Sequence, residues 1–396
     1  MTPETSRTES PAPRRGAAKA VLPRILLAVG SVLFVLFLIE FLAFIHVVDA
    51  REVLGNNFAW WPIYNVNDPE LIHIRRPNVH FSGKALGGSV TAYYRIPQSD
   101  MTLYQWDDQY DHNGFRNATD LKSADILLIG DSFVEGLTIP YDQLGSSLLA
   151  NLQGKVVANL GQSAYGPQQE LVILRRYGLP LQPRTVVWMF SEGTDLSDVV
   201  YYDRVMHSPP NLWQAYLQRS FLHMLLLRLK ARPNPPGIIR AGYFQAASGK
   251  PVTIYFQARW NPLTAENLGA LDETVQIVSE ANRLCAAQGA RFIFVFVPEK
   301  FTVLHSFCRF PPESECSKWA GNDMAARFQK ALAAVSPDIG YLDLTPALVS
   351  ASKNGVLTYY PDDPHWTPEG HRIAAEAIDA YLKSTQETQT SSHAAP

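Results

Sequence analysis

Short apolar runs alternate with longer amphipathic stretches through most of the chain after residue 124. Five runs have the length, apolar content and polar or turn boundaries of buried parallel strands. They are residues 126–129, 156–160, 186–190, 292–297 and 341–344. Helix-like stretches lie between or after them, at residues 143–152, 168–177, 265–287, 318–335 and 369–383. This order predicts an α/β domain in which right-handed crossovers place helices on both faces of a parallel sheet.

An apolar run at residues 25–48 precedes this domain, and 20 of its 24 residues are apolar. A helix of that length at ~1.5 Å per residue is ~36 Å long, enough to cross a hydrocarbon core of ~30 Å. The alternative is a cleaved signal peptide, whose apolar part is usually about 7 to 15 residues long and ends in a small-x-small site. Val48-Asp49-Ala50 is a poor site of that kind, so we expect an uncleaved transmembrane anchor.

The charges before the run predict its orientation. Basic residues there are Arg7, Arg14, Arg15, Lys19 and Arg24, and the acidic ones are Glu4 and Glu9. By the positive-inside rule the N-terminus is cytoplasmic, and everything after about residue 50 is periplasmic or extracellular. Glu40 lies inside the span, and we expect it near the outer end, either protonated or in contact with a partner helix.

Composition divides the remaining chain. We expect disordered tails at residues 1–24, on the cytoplasmic side, and 385–396. Residues 51–123 are predicted to wrap the core as loops and short strands. The predicted α/β domain spans residues 124–384, with an insert at about 202–264 that contains an apolar stretch, 212–230, and a hairpin, 242–260. The apolar stretch is either a lid or membrane-facing helix over the active site or a helix packed on the core.

Polar clusters follow three of the predicted strands, at the ends where reactive groups collect in parallel sheets. They are GDSFVEG at residues 130–136, GQSAYG at 161–166 and EGTD at 192–195. A fourth cluster, DDPHWTPEGH at residues 362–371, stands immediately before the last predicted helix. Gly-Asp-Ser alone occurs by chance in roughly one chain in ten of this length. The signal therefore comes from its placement together with the other three clusters.

In order and spacing the four clusters resemble the blocks that carry Ser, Gly, Asn and His in the SGNH (GDSL-type) hydrolases. The resemblance covers roughly residues 124–384 and implies a flavodoxin-like, three-layer α/β/α domain with a parallel sheet, here preceded by the transmembrane helix. The chain looks most similar to membrane-anchored members related to the alginate O-acetyltransferases. That closer similarity rests on DPHWTPEGH at residues 363–371, PEK at 298–300 and DHNGFRN at 111–117.

The chemistry of a serine nucleophile selects candidate residues in these clusters. A serine hydroxyl is a poor nucleophile until a base within about 3 Å accepts its proton. Ser132 is the candidate nucleophile and His365 the candidate base. The imidazole needs an acceptor on Nδ1, and both Asp362 and Asp363 fit by spacing. The SGNH pattern D-x-x-H favours Asp362, whereas the D-x-H-W form, which gives the longer match, favours Asp363.

The resemblance also implies an oxyanion hole formed by the backbone N–H groups of Ser132 and Gly161 and by a side chain of the third cluster. The family has Asn at that position, but this chain has Thr194, whose hydroxyl is one donor on a shorter arm. Thr194 would donate directly, act through water or leave a hole with two donors. Each such donor typically contributes about 10²–10³ in rate.

Three classes of function fit these features. The first is a membrane-anchored, extracytoplasmic serine esterase or O-acyltransferase that acts on acyl esters of glycan, acetyl by the resemblance, through an acyl-serine intermediate. The second is a lipid-directed esterase, which the anchor and the apolar insert favour. The third is a non-catalytic scaffold that retains the fold, which the departure at Thr194 favours.

The expected partners follow from the same features. They are an acylated glycan or small ester, the membrane and, for transfer, a membrane protein that donates acyl groups. A nucleic-acid partner is not expected, because 34 Lys and Arg are balanced by 37 Asp and Glu. We expect no cofactor and no metal, since phosphate loops, H-E-x-x-H and zinc spacing are absent from the sequence. Cys308 and Cys316 could form a disulfide in an oxidising compartment.

Overall fold

The computed structural model describes residues 15–45, 47, 65–92, 96–208, 213, 216–217, 220–230, 239–257 and 263–393. The chain divides into two compact units, Met1–Ala59 with Pro210–Ala231, and Trp60–Pro209 with Arg232–Pro396. The helices are α1 (Arg15–Phe44), α2 (Ser132–Glu135), α3 (Gly145–Gln153), α4 (Pro167–Ile173), α5 (Asp195–His207), α6 (Phe221–Lys230), α7 (Ala265–Ala287), α8 (Lys300–Leu304), α9 (Met324–Val335), α10 (Thr345–Lys353) and α11 (Pro368–His393). The strands are β1 (Asn65–Asp68), β2 (Ile72–Arg75), β3 (His80–Leu86), β4 (Leu103–Gln109), β5 (Ile126–Gly130), β6 (Val157–Gly161), β7 (Thr185–Ser191), β8 (Ala241–Gln245), β9 (Pro251–Tyr255), β10 (Arg291–Val297), β11 (Cys308–Arg309) and β12 (Gly340–Asp343).

The larger unit is built on a parallel sheet that contains, in the described part of the chain, five strands in the order β12-β10-β7-β5-β6. All of its pairs are parallel. The order reverses next to β5, the first of these strands in the chain, so the ends of β5, β6 and β7 border one switch point, where α/β sheets bind ligands. The predicted α/β class and flavodoxin-like order are confirmed.

Both faces of this sheet are buried. Alternate residues along β5 belong to different apolar clusters, with Leu127 and Ile129 on one face and Ile126 and Leu128 on the other. The first cluster includes side chains of α4, α5, α7 and α9, and the second those of α3, α10 and α11. A strand buried on both faces needs a continuous apolar sequence. For this reason the strand positions could be read from the sequence to within a residue or two.

Some helices differ from the prediction. The helix expected at residues 318–335 begins only at Met324, after a short turn at Glu315–Lys318. The last helix continues to His393, through most of the segment predicted to be a disordered tail, 385–396. No Gly or Pro interrupts residues 385–393, and the Gln and Glu residues there are good helix formers. Helices α5, α8 and α10 were not predicted.

The segment before the sheet contains two small antiparallel pairs, β1 with β2 and β3 with β4. The insert contains the predicted hairpin, formed by β8 and β9 with Gly249 at a φ of +76°. The antiparallel pairing of β11 with β8 extends this hairpin to a sheet of three strands within the described residues.

The smaller unit contains α1 and α6. Pro23–Phe44 has a mean hydropathy of 2.8 and is long and apolar enough to cross a membrane. Glu40 accepts hydrogen bonds from the Tyr216 hydroxyl at 2.8 Å and from the Leu222 backbone N–H, in the first turn of α6, at 3.0 Å. The apolar stretch of the insert is therefore grouped with α1, and it contacts Glu40, which is one of the two alternatives expected from the sequence.

Candidate active site

Ser132, His365 and Asp363 form one chain of hydrogen bonds. Ser132 Oγ lies 2.7 Å from His365 Nε2, and His365 Nδ1 lies 2.6 Å from Asp363 Oδ1. Ser132 is the first residue of α2, directly after β5, while Asp363 and His365 lie in the loop before α11. The His365 side chain is 38% exposed and that of Asp363 13%. The proton-accepting nitrogen thus faces the serine at an accessible edge, and the carboxylate lies behind it.

The charges fix the direction of these bonds. Burial raises the pKa of Asp363, but the His365 ring and two backbone N–H donors outweigh burial and lower it to about 2. An ionised carboxylate only accepts hydrogen bonds, so His365 Nδ1 carries the proton and Nε2 accepts from Ser132. Burial lowers the pKa of His365, whereas Asp363 raises it. The net result is a pKa above the ordinary value of 6.5.

Asp362 has other partners. One of its carboxylate oxygens accepts from the backbone N–H groups of Gly88 and Thr102, at 2.9 and 3.0 Å, and the other from the Tyr104 hydroxyl at 2.8 Å. Asp363 accepts on its second oxygen from Ser89 N–H at 2.8 Å. A Cβ on Gly88 would overlap the Asp363 side chain. Of the two candidate carboxylates, Asp363 contacts the imidazole, and Asp362 binds the segment before the sheet to the histidine loop.

Asp131 shapes the turn that presents Ser132. Its Oδ1 accepts from the Phe133 backbone N–H at 2.9 Å, which caps the start of α2. The Phe133 ring lies 5.3 Å from the imidazole of His365 and 4.8 Å from the ring of Trp366. The Phe133 ring, from the residue after the serine, therefore packs against the imidazole of His365.

The remaining two predicted oxyanion donors have partners within the protein. Gly161 N–H donates to Asn159 Oδ1 at 3.0 Å. The Thr194 hydroxyl lies 3.1 Å from Asp131 Oδ2 and 3.0 Å from Ser191 Oγ.

Backbone N–H groups with no hydrogen-bond acceptor in the described part of the chain include two in the clusters at residues 130–136 and 161–166. They belong to Ser132 and to Ala164, in the cluster that follows β6. Ala164 is exposed and has a φ of +61°, a left-handed conformation that costs a residue with a side chain about 1 kcal/mol or more. Such strain is common at functional sites. Ala164 lies in the cluster GQSAYG, but no pattern in the sequence marked this residue as a donor.

A buried ion pair between Arg75 and Glu135 stabilises the end of α2. Glu135 Oε1 accepts from Arg75 Nε at 2.6 Å and from the Tyr110 hydroxyl at 2.6 Å, and Oε2 accepts from Ser163 N–H at 2.7 Å. Glu135 and Arg75 are 0% and 1% exposed. Burial raises the pKa of Glu135, but Arg75 and these donors lower it to about 2. The pair joins β2, α2 and the turn after β6, and Arg75 was not predicted from the sequence.

The motif at residues 111–117 forms hydrogen bonds with the chain that follows α2 and with β6. Arg116 donates to the carbonyls of Gly136 and Ile139 and pairs with Asp108 at 2.6 Å. Asn117 donates to the carbonyl of Asn159 at 3.1 Å and accepts from its N–H at 2.9 Å. The motif therefore fixes the chain after α2 and the strand that leads to Gly161.

Cys285, Cys308 and Cys316 are free thiols. Burial raises the pKa of each to about 12, so none is a reactive thiolate at neutral pH. In the part of the chain that the structure describes, no group of His, Cys, Asp or Glu side chains is arranged to hold a metal ion.

A serine, a histidine and an aspartate joined by hydrogen bonds in this order are the arrangement that serine acyl-transfer enzymes use. Residues 256–395 match the family described as SGNH hydrolase-like domain, acetyltransferase AlgX. The matched part contains Asp362, Asp363 and His365, whereas Ser132 precedes it. This C-terminal part of the chain is thus similar to an SGNH hydrolase-like acetyltransferase domain. No curated protein matches the sequence.

Solved structures to which the chain is similar include a G-D-S-L family protein and two acetylxylan esterases. A lipolytic protein of the G-D-S-L family from Desulfitobacterium hafniense DCB-2 is 13% identical, with 65% of this chain and 98% of that chain covered and a TM-score of 0.35. The acetyl xylan esterase AlAXEase is 10% identical, with 64% and 96% covered and a TM-score of 0.35. A catalytic mutant of Axe2, an acetylxylan esterase from Geobacillus stearothermophilus, is 11% identical, with 66% and 95% covered and a TM-score of 0.36.

Proposed function

We propose that the protein is a membrane-anchored, extracytoplasmic serine esterase or O-acyltransferase that acts on acyl esters of glycan, with acetyl as the acyl group. The observation that carries the proposal is the continuous hydrogen-bond chain from Ser132 through His365 to Asp363, with distances of 2.7 and 2.6 Å. A serine whose hydroxyl contacts an oriented neutral imidazole is activated for attack on a carbonyl carbon.

In the first half-reaction Ser132 Oγ attacks the ester carbonyl carbon, and its proton moves to His365 Nε2. The tetrahedral intermediate collapses when the C–O bond to the leaving alcohol breaks, and Nε2 returns the proton to that alcohol. In the second half, water or a sugar hydroxyl attacks the acyl-serine, with His365 again as base and then acid. Asp363 stays ionised and stabilises the imidazolium in both halves. Hydrolysis and transfer differ only in the acceptor.

The oxyanion that forms in both halves needs donors that are free to bind it. The Ser132 N–H meets this condition, and so does the N–H of Ala164, which we add to the set predicted from the sequence. Gly161 N–H and the Thr194 hydroxyl would first have to leave Asn159 and Asp131. We therefore propose the backbone N–H groups of Ser132 and Ala164 as the principal oxyanion donors. In this proposal, the hydrogen bonds of Gly161 to Asn159 and of Thr194 to Asp131 stabilise the turns that present these donors.

The substrate class rests on the family match, which is to an acetyltransferase domain, and on the sequence similarity to alginate O-acetyltransferases. An acetyl ester of a sugar hydroxyl is the substrate that fits both. If the enzyme transfers acetyl groups, a membrane protein that supplies them at the outer surface is the expected partner.

The proposed location rests on α1. A cleaved signal sequence and an anchor share the length and hydropathy of Pro23–Phe44. Glu40 distinguishes them, because its carboxylate binds Tyr216 and Leu222 of the same chain. A segment that is removed has no need of such contacts, so we propose that α1 is retained, with the N-terminus cytoplasmic.

The test uses the full chain in detergent and follows acetate release from p-nitrophenyl acetate, with and without an oligosaccharide acceptor. We expect Ser132→Ala to lose at least ~10³-fold in kcat, while Ser350→Ala, an exposed serine on α10, stays at the wild-type level. Acetyl groups appearing on the oligosaccharide would identify a transferase, and acetate release alone an esterase.

Two results would contradict the proposal. A preference for long-chain acyl esters over acetyl esters would indicate the lipid-directed esterase. Equal activity of wild type and Ser132→Ala on both acetyl and long-chain esters would indicate the non-catalytic scaffold.

A further inference from the structure

Lys300, the first residue of α8, points its side chain at backbone carbonyls. Its Nζ donates to the carbonyl oxygens of Tyr255 at 2.7 Å, Pro361 at 2.8 Å and Asp363 at 3.1 Å. The residue is 5% exposed. An ammonium group has three N–H donors, so every donor of Lys300 has a backbone acceptor.

Two of these acceptors lie in the histidine loop. Pro361 and Asp363 flank Asp362, and Asp363 is the residue whose carboxylate binds His365 Nδ1. The third acceptor, Tyr255, ends β9, and its own N–H donates to the Pro361 carbonyl at 2.8 Å. Lys300 therefore ties three parts of the larger unit together: the end of β10, the insert hairpin and the loop that carries Asp363 and His365.

The ammonium group of Lys300 also interacts electrostatically with the carboxylates of the histidine loop. Burial lowers the pKa of its ammonium group to about 7, while the carboxylates of Asp363 and Asp362 raise it. The thiols of Cys308 and Cys316 face it as well, and Nζ lies 5.7 Å from the centre of the Phe256 ring. A buried ammonium is costly unless its donors are satisfied, and a neutral amine has only two N–H donors for three carbonyls. The site therefore suits a charged lysine.

We infer that Lys300 is a positioning residue of the active site, because its ammonium holds the backbone of Asp363 in the place from which the carboxylate orients His365. It acts through Asp363 and touches neither Ser132 nor the substrate region. The inference rests on the proposed function. Arginine would not replace it, since a planar guanidinium cannot direct three N–H bonds to carbonyls arranged around one point.

The test replaces Lys300 with Met, which has a similar length and no donor, in the full chain. A displacement of about 1 Å at a catalytic group can cost ~10²-fold, so we expect kcat to fall ~10- to 100-fold while KM changes less than ~2-fold. The control is Ser314→Ala, which also removes a buried side-chain bond to the insert hairpin, to the carbonyl of Ala241 at 2.8 Å. We expect this control to keep the wild-type kcat.

A second readout does not depend on turnover. The Nδ1 proton of a histidine bound to a carboxylate gives a ¹H resonance at the low-field end of the NMR spectrum. We expect this signal in wild type and Ser314→Ala, and its shift or loss in Lys300→Met. Lys300→Gln, which keeps two N–H donors, should lie between the two and serves where methionine is not accommodated.

The outcomes separate the inference from the proposed function. Wild-type kcat and an unmoved His365 resonance in folded Lys300→Met would overturn the role of Lys300. Absence of Ser132-dependent turnover in wild type would overturn the proposed function, and the resonance of His365 would still report whether Lys300 positions Asp363.

Discussion

At the scale of single residues, Asp362 and Asp363 show how neighbouring carboxylates acquire different tasks. Their side chains have different partners, because Asp363 reaches the imidazole and Asp362 reaches Gly88, Thr102 and Tyr104. Asp362 is fully buried, and its two oxygens accept three hydrogen bonds. Asp363 is therefore expected to affect the chemical step, and Asp362 is expected to affect the stability of the loop.

Substituting each aspartate by asparagine separates these tasks. Asp363→Asn should lose ~10²–10⁴ in kcat/KM, because an amide no longer selects the tautomer with the proton on Nδ1. Asp362→Asn should lose about 1–3 kcal/mol of folding free energy, since one buried acceptor becomes a donor facing other donors, with a much smaller loss in kcat. Steady-state kinetics and denaturant unfolding of both variants measure the two effects. Equal loss of kcat/KM in the two variants would contradict the division.

The pH profile gives a further check on Asp363. The active base is neutral imidazole, and Asp363 raises the pKa of His365 above 6.5. The wild-type kcat/KM should therefore rise with pH through an apparent pKa above 6.5. In Asp363→Asn this apparent pKa should move to a lower pH, while in Asp362→Asn it should stay close to that of wild type.

The sequence allowed some of these residues to be predicted and not others. Ser132 and His365 lie in motifs whose spacing reflects the order of the strands. The choice between Asp362 and Asp363 depends on loop conformation, which a two-residue or three-residue spacing does not decide. Arg75 reaches Glu135 from a separate antiparallel strand, and no local pattern marks such a contact. Lys300 did carry a signal, as part of the PEK triplet, although its three carbonyl acceptors could not be foreseen.

At the scale of elements, the approach of β6 to α2 sets the position of the nucleophile. A Cβ on Gly161 would overlap the backbone nitrogen of Glu135 and lie 2.6 Å from the carbonyl carbon of Val134. These are backbone atoms in the helix that begins with Ser132, so they cannot move without moving the serine. The glycine in this cluster is thus explained by a close approach between two elements.

We expect Gly161→Ala to push α2 away from β6 and to lengthen the contact of 2.7 Å between Ser132 and His365. Overpacking of this kind costs typically about 1–3 kcal/mol, and kcat should fall ~10²-fold. Gly154→Ala is the control for packing, because a Cβ there meets no atom within 4 Å, and only its φ of +61° costs stability, by about 1 kcal/mol. Thermal unfolding and kcat are measured for both. Wild-type kcat in Gly161→Ala would show that α2 tolerates the displacement.

Elements with a strong periodic pattern were predicted well. Strands buried on both faces need apolar runs, and α7 was predicted with the bounds that the structure has, Ala265–Ala287. Residues 51–123 were predicted only as loops and short strands. Pairs such as β3 with β4 are two-stranded and half exposed, so neither a continuous nor a regular alternating pattern marks them.

At the scale of the whole molecule, the Arg75 and Glu135 pair connects the segment before the sheet to the domain that contains the active site. The pKa of Glu135 falls from 4.5 to about 2 in the folded protein. A lowered pKa contributes stability that is fully present above 4.5 and is lost as the pH falls towards 2. A shift of this size corresponds to about 3 kcal/mol.

We therefore expect the free energy of unfolding to decrease steeply between pH 4.5 and 2 in wild type. Glu135→Gln should be less stable than wild type at pH 7, because it leaves Arg75 buried without its partner, and its stability should depend less on pH in that interval. Urea unfolding at a series of pH values measures both. Parallel pH dependences in wild type and Glu135→Gln would assign the acid sensitivity to other carboxylates.

The separation of the site residues along the chain has a consequence for biosynthesis. Ser132 and His365 are 233 positions apart, and Gly88 and Asp362 are 274 apart. At roughly 5–20 residues per second, a ribosome needs on the order of ten to fifty seconds to proceed from the serine codon to the histidine codon. Throughout that time the emerging polypeptide has a serine without a base. The proposed acyl chemistry can therefore begin only when synthesis is nearly complete, long after the apolar N-terminal helix has left the ribosome.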